Sequence, residues 1–280
     1  MITLTTFKFL STFCACISLI CGLTTSYQTF KDIIINRCND FQKKYTNSHE
    51  LALKTRINCN ILWNTFLNSF SGKDICQIKR YDELFKNINL KPIKNKALFW
   101  SGTNYIAHNF TGIKKNFYTL EDTFPGYIVN NLNWCVLLEI NNKKCKTNCG
   151  YKSNGEPYWK KASETFAASA EGTAYVMLNG NNPKKAVDPT SIFAQVELPV
   201  LKKKSNIEQL VFFVVNDQNT KAKENCSKGS VKNLMTNLKK EKKKTECYDN
   251  PKKSEILNAT VSLICKLKPT AYGCTLNQYH

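Results

Sequence analysis

The sequence predicts an α/β fold (α+β in two lobes), with a helical N-terminal lobe and a C-terminal lobe whose mostly parallel sheet is flanked by helices. Three observations support this prediction. Apolar residues recur at spacings of three and four before residue 115, short apolar runs alternate with helical stretches after residue 159, and ten cysteines follow the first 26 residues. We therefore expect five disulfides and an active-site cleft between the two lobes.

The first 26 residues have the pattern of a secretory signal peptide. Lys8 precedes an apolar run from Phe9 to Leu23, which ends in Thr24, Thr25 and Ser26. An uncleaved membrane anchor is the alternative, although a spanning helix needs about 20 apolar residues. We therefore expect a secreted protein or one in a secretory-vesicle lumen, with anchoring at the cell surface as the second interpretation.

The remaining chain, 27–280, is predicted to form one domain with three regions. Residues 27–115 form the mainly helical lobe, 116–172 form a bridging region rich in turn residues, and 173–280 form the α/β lobe. Two helices and three strands are predicted from residue 159 onwards: a helix Trp159–Ala170 that stops at Gly172, strands Ala174–Leu178, Ile192–Leu198 and Leu210–Val215, and a helix Ser230–Leu238. Glu197 would then lie at the end of the second strand.

The cysteines predict disulfides rather than a metal site. An even number of cysteines in an exported chain is typical of a disulfide framework. A zinc site is the alternative, but Cys145 and Cys149 lack a matching second pair, and the three histidines are not at ligand spacing. We therefore predict no bound metal. The ten cysteines are Cys38, Cys59, Cys76, Cys135, Cys145, Cys149, Cys226, Cys247, Cys265 and Cys274.

The chain is strongly basic, with a formal charge of +19 and lysine runs at Lys202–Lys204 and Lys239–Lys244. A solvated, soluble surface is the favoured interpretation, and weak attraction to polyanions is the alternative. No nucleic-acid partner is expected, since no aromatic residues alternate with the lysines and no nucleic-acid-binding motif is present.

Several enzyme classes are excluded by missing motifs. The chain has no glycine-rich dinucleotide fingerprint, no P-loop and no nucleophile elbow, and its three histidines give little support for a serine or cysteine nucleophile. Carboxylates remain as catalytic groups, and Glu121 and Glu197 stand out because they lie among aromatic residues. From the pattern alone, Trp100 and Trp159 could equally be core residues.

Seven segments carry a resemblance to a known family: Lys94–Gly102, Ala107–His108, Tyr118–Tyr127, Leu132–Cys135, Ser169–Gly172, Val176–Gly180 and Val196–Pro199. They closely resemble the ADP-ribosyl cyclase / NAD glycohydrolase family, and most of all its soluble molluscan members. The resemblance implies an enzyme that cleaves the nicotinamide–ribose bond of NAD through a glutamate-stabilised ribosyl intermediate. The products would be nicotinamide with cyclic ADP-ribose, ADP-ribose or both, with base exchange on NADP. NAD would be the substrate, and no cofactor is expected.

The resemblance also implies roles for individual residues. Glu197 would stabilise the ribosyl cation, and Glu121 would receive the nicotinamide amide and influence the fate of the intermediate. Trp100 and Trp159 would hold the nicotinamide between their rings. The other residues implied to contact the substrate are Ser101, Asp122, Asn130, Ser163, Ile192 and Phe193.

Disulfide pairing is likewise implied by the resemblance. The implied pairs are Cys38–Cys59, Cys76–Cys149, Cys135–Cys145, Cys226–Cys247 and Cys265–Cys274.

Two positions affect which product the resemblance implies. Asn130 agrees with the molluscan members, whereas Ile192 replaces their aromatic residue and the threonine of the leukocyte members. A mixed enzyme with cyclase activity is therefore the hypothesis.

Three alternatives remain open at this stage. The chain could be mainly a hydrolytic NAD glycohydrolase, or a catalytically silent, cationic secreted binding protein that keeps only the scaffold. It could also bind polyanions through its 239–244 lysines. A homodimer is compatible with the sequence, which does not decide it.

Overall fold

The computed structural model describes residues 30–46, 49–70, 77–113, 116–134, 155–216 and 222–250. The predicted signal peptide lies outside these residues. So do six of the ten predicted disulfide cysteines: Cys76, Cys135, Cys145, Cys149, Cys265 and Cys274.

The N-terminal part is built mainly from helices, as the apolar spacing predicts. The helices are α1 (30–44), α2 (Cys59–Phe70), α3 (Asp82–Lys86), α4 (Asn104–Ile113) and α5 (Phe124–Val129), with 3-10 turns at Ile78–Tyr81 and Leu120–Asp122. In α2, Leu62, Phe66 and Phe70 are all buried in the core, so the spacing of four places them on one face. A disulfide between Cys38 and Cys59 joins α1 to α2, which confirms that predicted pair.

A parallel sheet forms the second layer. Its strands are β1 (Ile93–Lys94), β2 (Leu98–Ser101), β3 (Ala170–Asn179), β4 (Ile207–Val215) and β5 (Lys244–Asp249). β3 pairs with β1 and β2 along one side and with β4 along the other, while β5 pairs with the far side of β4. Every one of these pairings is parallel, so the carboxyl ends of β2, β3 and β4 meet at one edge.

Helices connect the strands, as parallel pairing requires. They are α6 (Glu156–Ser169), α7 (Leu198–Lys203) and α8 (Gly229–Lys240). Strands β3 and β4 and helices α6 and α8 confirm four of the predicted elements. A second disulfide, Cys226–Cys247, joins the segment before α8 to β5 and confirms another predicted pair.

The predicted strand Ile192–Leu198 is wrong. Residues Phe193–Glu197 form a π-helical turn that continues into α7. The segment Ile192–Leu198 is mostly apolar, as a buried strand would be, but two flanking residues favour a helix. The Ser191 hydroxyl accepts a hydrogen bond from the Ala194 N–H at 3.1 Å, and Pro199 lies in the first turn of α7, where proline is tolerated.

Two further expectations differ from the structure near β3. Gly172 does not stop α6, which ends at Ser169. It lies within β3 with φ +68°, where the register shifts between Gly172 and Thr173. Strands β1 and β2 were not predicted, because they span only two and four residues and the helical pattern around them dominates the sequence.

Helix α5 is fixed from two sides. The Arg37 guanidinium of α1 donates a hydrogen bond to the Asn130 carbonyl at 2.7 Å, just beyond the end of α5. The buried Tyr158 hydroxyl of α6 donates to the Pro125 carbonyl at 2.7 Å. Because the two partners come from different helices, the position of α5 depends on the packing of the whole helical layer.

No helix among the described residues is both long enough and apolar enough to cross a lipid bilayer.

Gly126 lets α5 lie directly against the turn that carries Glu121. A Cβ atom at this position would lie 2.2 Å from the Leu120 carbonyl oxygen and 2.6 Å from the Glu121 Cα. Both of these are backbone atoms, so they can move away from an added Cβ only if the turn itself moves.

Substituting Gly126→Ala is expected to lower the free energy of unfolding by roughly 1–3 kcal/mol, because the added methyl group overpacks this contact. Urea denaturation measures the change. Gly112→Ala in α4 is the matched control, since a Cβ atom there would have no neighbour within 4 Å, and it is expected to be neutral or slightly stabilising. Equal effects of the two substitutions would contradict the close contact at Gly126.

Candidate active site

A cavity of about 560 Å³ opens at the carboxyl end of β2. This edge of a parallel sheet is where α/β proteins commonly bind ligands, and the volume suits a small organic molecule. Nine of the ten predicted site residues line it: Trp100, Ser101, Glu121, Asn130, Trp159, Ser163, Ile192, Phe193 and Glu197. The tenth, Asp122, does not line this cavity.

Glu197 reaches the cavity because the backbone widens into a π turn before α7. The Leu198 N–H donates to the Phe193 carbonyl, which is the five-residue spacing of a π turn. Pro199 has no N–H for the Gln195 carbonyl, and its ring would collide with that carbonyl in a regular α-helix. The wider turn avoids this collision and places Glu197 at the cavity, where only 6% of its surface is exposed.

Burial controls the electrostatics of Glu197. Its pKa is raised to about 8: burial is the largest cause, a hydrogen bond from the Ser163 hydroxyl acts to lower the pKa, and the nearby Glu121 carboxylate acts to raise it. A charged carboxylate in this position is therefore costly without a positive partner. The site consequently favours a ligand that brings a positive charge close to Glu197.

Glu121 is presented by the 3-10 turn Leu120–Asp122. Its Oε2 lies 3.5 Å from the Trp100 Nε1, which donates a hydrogen bond, and its Oε1 lies 3.7 Å from the His108 Nε2. The indole of Trp100 also meets the His108 ring edge-on at 6.0 Å. Glu121 is thus held by the end of β2 and by α4.

Asp122 supports the turn on which Glu121 lies. Its Oδ2 accepts hydrogen bonds from the Thr119 N–H at 2.8 Å and from the Thr119 hydroxyl at 3.1 Å. The Thr119 side chain is fully buried. This carboxylate therefore fixes the backbone beneath Glu121 and does not face the cavity.

Aromatic side chains form much of the cavity surface. Trp100 from β2 and Trp159 from α6 are both half-buried and both line it. Trp134, for which the sequence suggested no role, also lines it and packs so closely on Gly155 that a Cβ there would lie 2.5 Å from the indole ring. The cavity thus offers indole rings from three separate segments.

Glu156 is a third carboxylate of the cavity that the sequence analysis missed. It precedes Trp159 by three residues and Ser163 by seven on α6, so helical periodicity places all three on one face. That spacing was the available signal. Lys160 lies 3.3 Å from the Glu156 carboxylate and also donates to Gln195 at 3.1 Å, which links α6 to the π turn.

Backbone and small polar groups complete the site. Ser101 ends β2, and Gly102 and Thr103 lead into α4, whose first N–H groups lack partners within the helix. Asn130 follows α5, and Ile192 precedes the π turn. Within the part of the chain that the structure describes, no three His, Cys, Asp or Glu side chains are arranged to hold a metal ion.

Comparison with known proteins gives concordant results from sequence families, relatives and structures. Residues 27–264 match the family model described as ADP-ribosyl cyclase. The chain is 32% identical to the ADP-ribosyl cyclase/cyclic ADP-ribose hydrolase of Aplysia californica over 255 residues, which cover 88% of this chain and 86% of the relative. It is also 32% identical to ADP-ribosyl cyclase/cyclic ADP-ribose hydrolase 1 of Oryctolagus cuniculus, covering 78% and 73%.

A solved structure agrees with the fold. The crystal structure of Aplysia cyclase complexed with substrate NGD and product cGDPR superposes with a TM-score of 0.70 at 28% identity, covering 88% of this chain and 96% of that one. The family match and the Aplysia relative each extend over most of the sequence. The chain therefore belongs to the ADP-ribosyl cyclase family.

Proposed function

We propose that this protein cleaves the bond between nicotinamide and ribose in NAD and passes the ribosyl group to water or to the adenine ring. One observation carries the proposal: a buried carboxylate, Glu197, shares a cavity with the indoles of Trp100 and Trp159. The relatives named for cyclase and hydrolase activity supply the reaction class.

The nicotinamide end of NAD fits the electrostatics of the cavity. Its ring carries a positive charge, which indole faces attract through their quadrupole. The same charge beside Glu197 lowers the cost of ionising that carboxylate. Substrate binding therefore supplies a cation and shifts Glu197 to its charged form.

Bond cleavage needs no proton donor. The C1′–N bond breaks, and its electron pair moves onto the nicotinamide ring, which leaves as a neutral molecule. C1′ becomes an oxocarbenium-like cation, and the Glu197 carboxylate stabilises it as the carboxylate of a retaining glycosidase does. The Ser163 hydroxyl orients that carboxylate through its hydrogen bond.

The nucleophile that reaches C1′ decides the product. Water gives ADP-ribose and releases a proton, whereas a ring nitrogen of the adenine gives cyclic ADP-ribose. Glu121, which contacts Trp100 and His108, is proposed to receive the nicotinamide amide. A free base such as nicotinic acid can compete for the same cation, so base exchange, with NADP as a further substrate, is part of the proposal.

The anionic end of the substrate is proposed to lie towards Ser101, Gly102 and the start of α4. Three carboxylates line the cavity, so the pyrophosphate needs another environment. A helix N-terminus with unpaired N–H groups favours phosphate. Gly102, which lines the cavity, has φ +70° and lets the chain turn from β2 into α4.

We also propose that the protein acts in an oxidising compartment outside the cytosol, either secreted or within vesicles. The Cys38–Cys59 and Cys226–Cys247 disulfides support this, because such bonds persist mainly in exported proteins.

Substituting Glu197→Gln is expected to lower kcat for nicotinamide release by about 10²–10³-fold, the usual cost of removing one electrostatic stabiliser of a transition state. Release from NAD is measured by chromatography. Glu208→Gln, at an exposed position on β4, is the control and should retain full activity. Unchanged release by the Glu197→Gln variant would remove Glu197 from the mechanism, whereas no release by the wild type would favour a silent binding protein.

The same substitution is expected to stabilise the fold, and increasingly so as pH rises. Between the ordinary Glu pKa of 4.5 and the Glu197 pKa of about 8, the folded state keeps a proton that the unfolded chain releases, so wild-type stability falls. Glu197→Gln removes this loss, which is complete above about pH 8. Its advantage in free energy of unfolding should grow by roughly 2–4 kcal/mol from pH 5 to pH 8.5.

Urea denaturation of both proteins at the two pH values provides the test. Glu208→Gln controls for a general effect of removing a carboxylate and should show little change with pH. An advantage for Glu197→Gln that shrinks as pH rises would contradict the burial of an unpaired carboxylate.

Ile192→Phe is expected to increase the ratio of cyclic to linear product by about 2–10-fold, since an aromatic ring adds about 0.5–1.5 kcal/mol of stacking on adenine. Ile192→Thr should lower the ratio by admitting water. Ile192→Val is the control and should stay near the wild-type ratio. Products are separated by chromatography after incubation with NAD. If wild type forms only ADP-ribose, the cyclase half of the proposal is wrong.

A further inference from the structure

The fold brings the two lysine runs of the sequence together at one place. Lys202–Lys204 end α7 and lead into β4, while Lys239–Lys244 end α8 and lead into β5. The Lys243 ammonium donates a hydrogen bond to the Lys204 carbonyl at 2.8 Å, and the Lys202 ammonium lies 2.6 Å from the Glu241 carboxylate. We call these two runs together the lysine surface.

The lysine surface is densely cationic. Its two runs contain eight lysines and one acidic residue, Glu241, whose carboxylate is already paired with Lys202. Five of the lysines are exposed: Lys203, Lys239, Lys240, Lys242 and Lys244. The nearest exposed carboxylates along the same strands are those of Glu208 and Glu246. Packing this many like charges together costs free energy through self-repulsion, which an anionic partner would relieve.

The lysine surface lies at the opposite edge of the sheet from the cavity. Lys244 begins β5, where it is in register with Gln209 near the start of β4. The cavity lies beyond Trp100 and Ser101, which are in register with the last residues of β3. An NAD molecule in the cavity therefore leaves the lysine surface free for a second ligand.

We infer that the lysine surface binds a linear anionic polysaccharide that carries sulfate or carboxylate groups. Lysine ammonium groups on flexible stems are point charges that suit a regularly charged polymer without planar recognition. The inference is independent of the proposed reaction in the cavity.

Other anionic partners fit the described residues less well. Exposed large apolar residues, which membrane docking uses as anchors, are limited within the described part to Ile61, Tyr105 and Tyr248. Only Tyr248 belongs to an element of this surface, and it lies in register with Phe213 towards the far end of β5. As far as the described residues go, the lysines therefore lack the aromatic platforms that single-stranded nucleic acid stacks on.

The test compares two variants that lose the same charge. The first replaces three exposed lysines of the surface (K203Q/K239Q/K240Q), and the control replaces three exposed lysines of the helical layer (K43Q/K54Q/K86Q). On immobilised heparin, the first variant is expected to elute at clearly lower salt than wild type, and the control close to wild type. In titrations with labelled heparin, the slope of log K against log salt should fall by about three for the first variant only.

A substitution in the opposite direction adds a second check. Glu241→Gln removes the one acidic side chain from the two runs, so its heparin elution is expected to move to higher salt. NAD cleavage by all of these variants is measured in 0.15 M salt, where charges more than about 8 Å apart are largely screened. The rate of NAD cleavage should be unchanged. A loss of heparin binding is therefore distinguished from a loss of catalysis.

Two results would overturn the inference. Equal salt shifts for the two triple variants would mean that retention follows net charge and that no particular surface binds. Stronger lysine-dependent binding to single-stranded DNA, or to vesicles containing phosphatidylserine, than to heparin at the same salt would show that the partner belongs to another class.

Discussion

The site depends on keeping one carboxylate, that of Glu197, out of water. Burial, together with the neighbouring Glu121 carboxylate, raises its pKa to about 8. Of the contributions to this pKa, only the Ser163 hydroxyl acts in the opposite direction. A buried carboxylate interacts strongly with a developing positive charge, because solvent does not screen the field of the carboxylate. The same burial that weakens the fold therefore strengthens the interaction with a ribosyl cation.

Several secondary-structure elements together keep Glu197 buried. The π turn positions Glu197, α6 supplies Ser163 and Trp159, and β2 supplies Trp100. The turn carrying Glu121 is held by Asp122 beneath it and by the close approach of Gly126. Helix α5 is in turn held by hydrogen bonds from α1 and α6. The positions of the cavity side chains therefore depend on packing in both the helical layer and the sheet. For this reason, residues far apart in sequence contribute to the cavity.

The sequence predicted which residues share the cavity better than it predicted the local structure around them. The resemblance implied the role of Glu197, yet Ile192–Leu198 was predicted as a strand because most of its residues are apolar. The Pro199 ring would collide with the Gln195 carbonyl four residues earlier in a regular α-helix, and the spacing of apolar residues does not reveal this collision. Glu156 was missed although its helical spacing from Trp159 was visible. Trp134 was missed because its place at the cavity depends on tertiary packing, for example against Gly155 and Tyr158. Short strands such as β1 form because β3 lies beside them, and no local signal predicts that.

The charge distribution of the chain matches the charge distribution of its proposed substrate. NAD has a cationic nicotinamide at one end of an anionic pyrophosphate, so a uniformly basic or uniformly acidic protein would repel one part of it. Here a chain with a formal charge of +19 encloses a cavity lined by Glu121, Glu156 and Glu197. The long-range field attracts the molecule as a whole, since it is anionic overall, and only the local carboxylates select which end enters. Orientation is therefore decided at short range, where burial has made those carboxylates most effective.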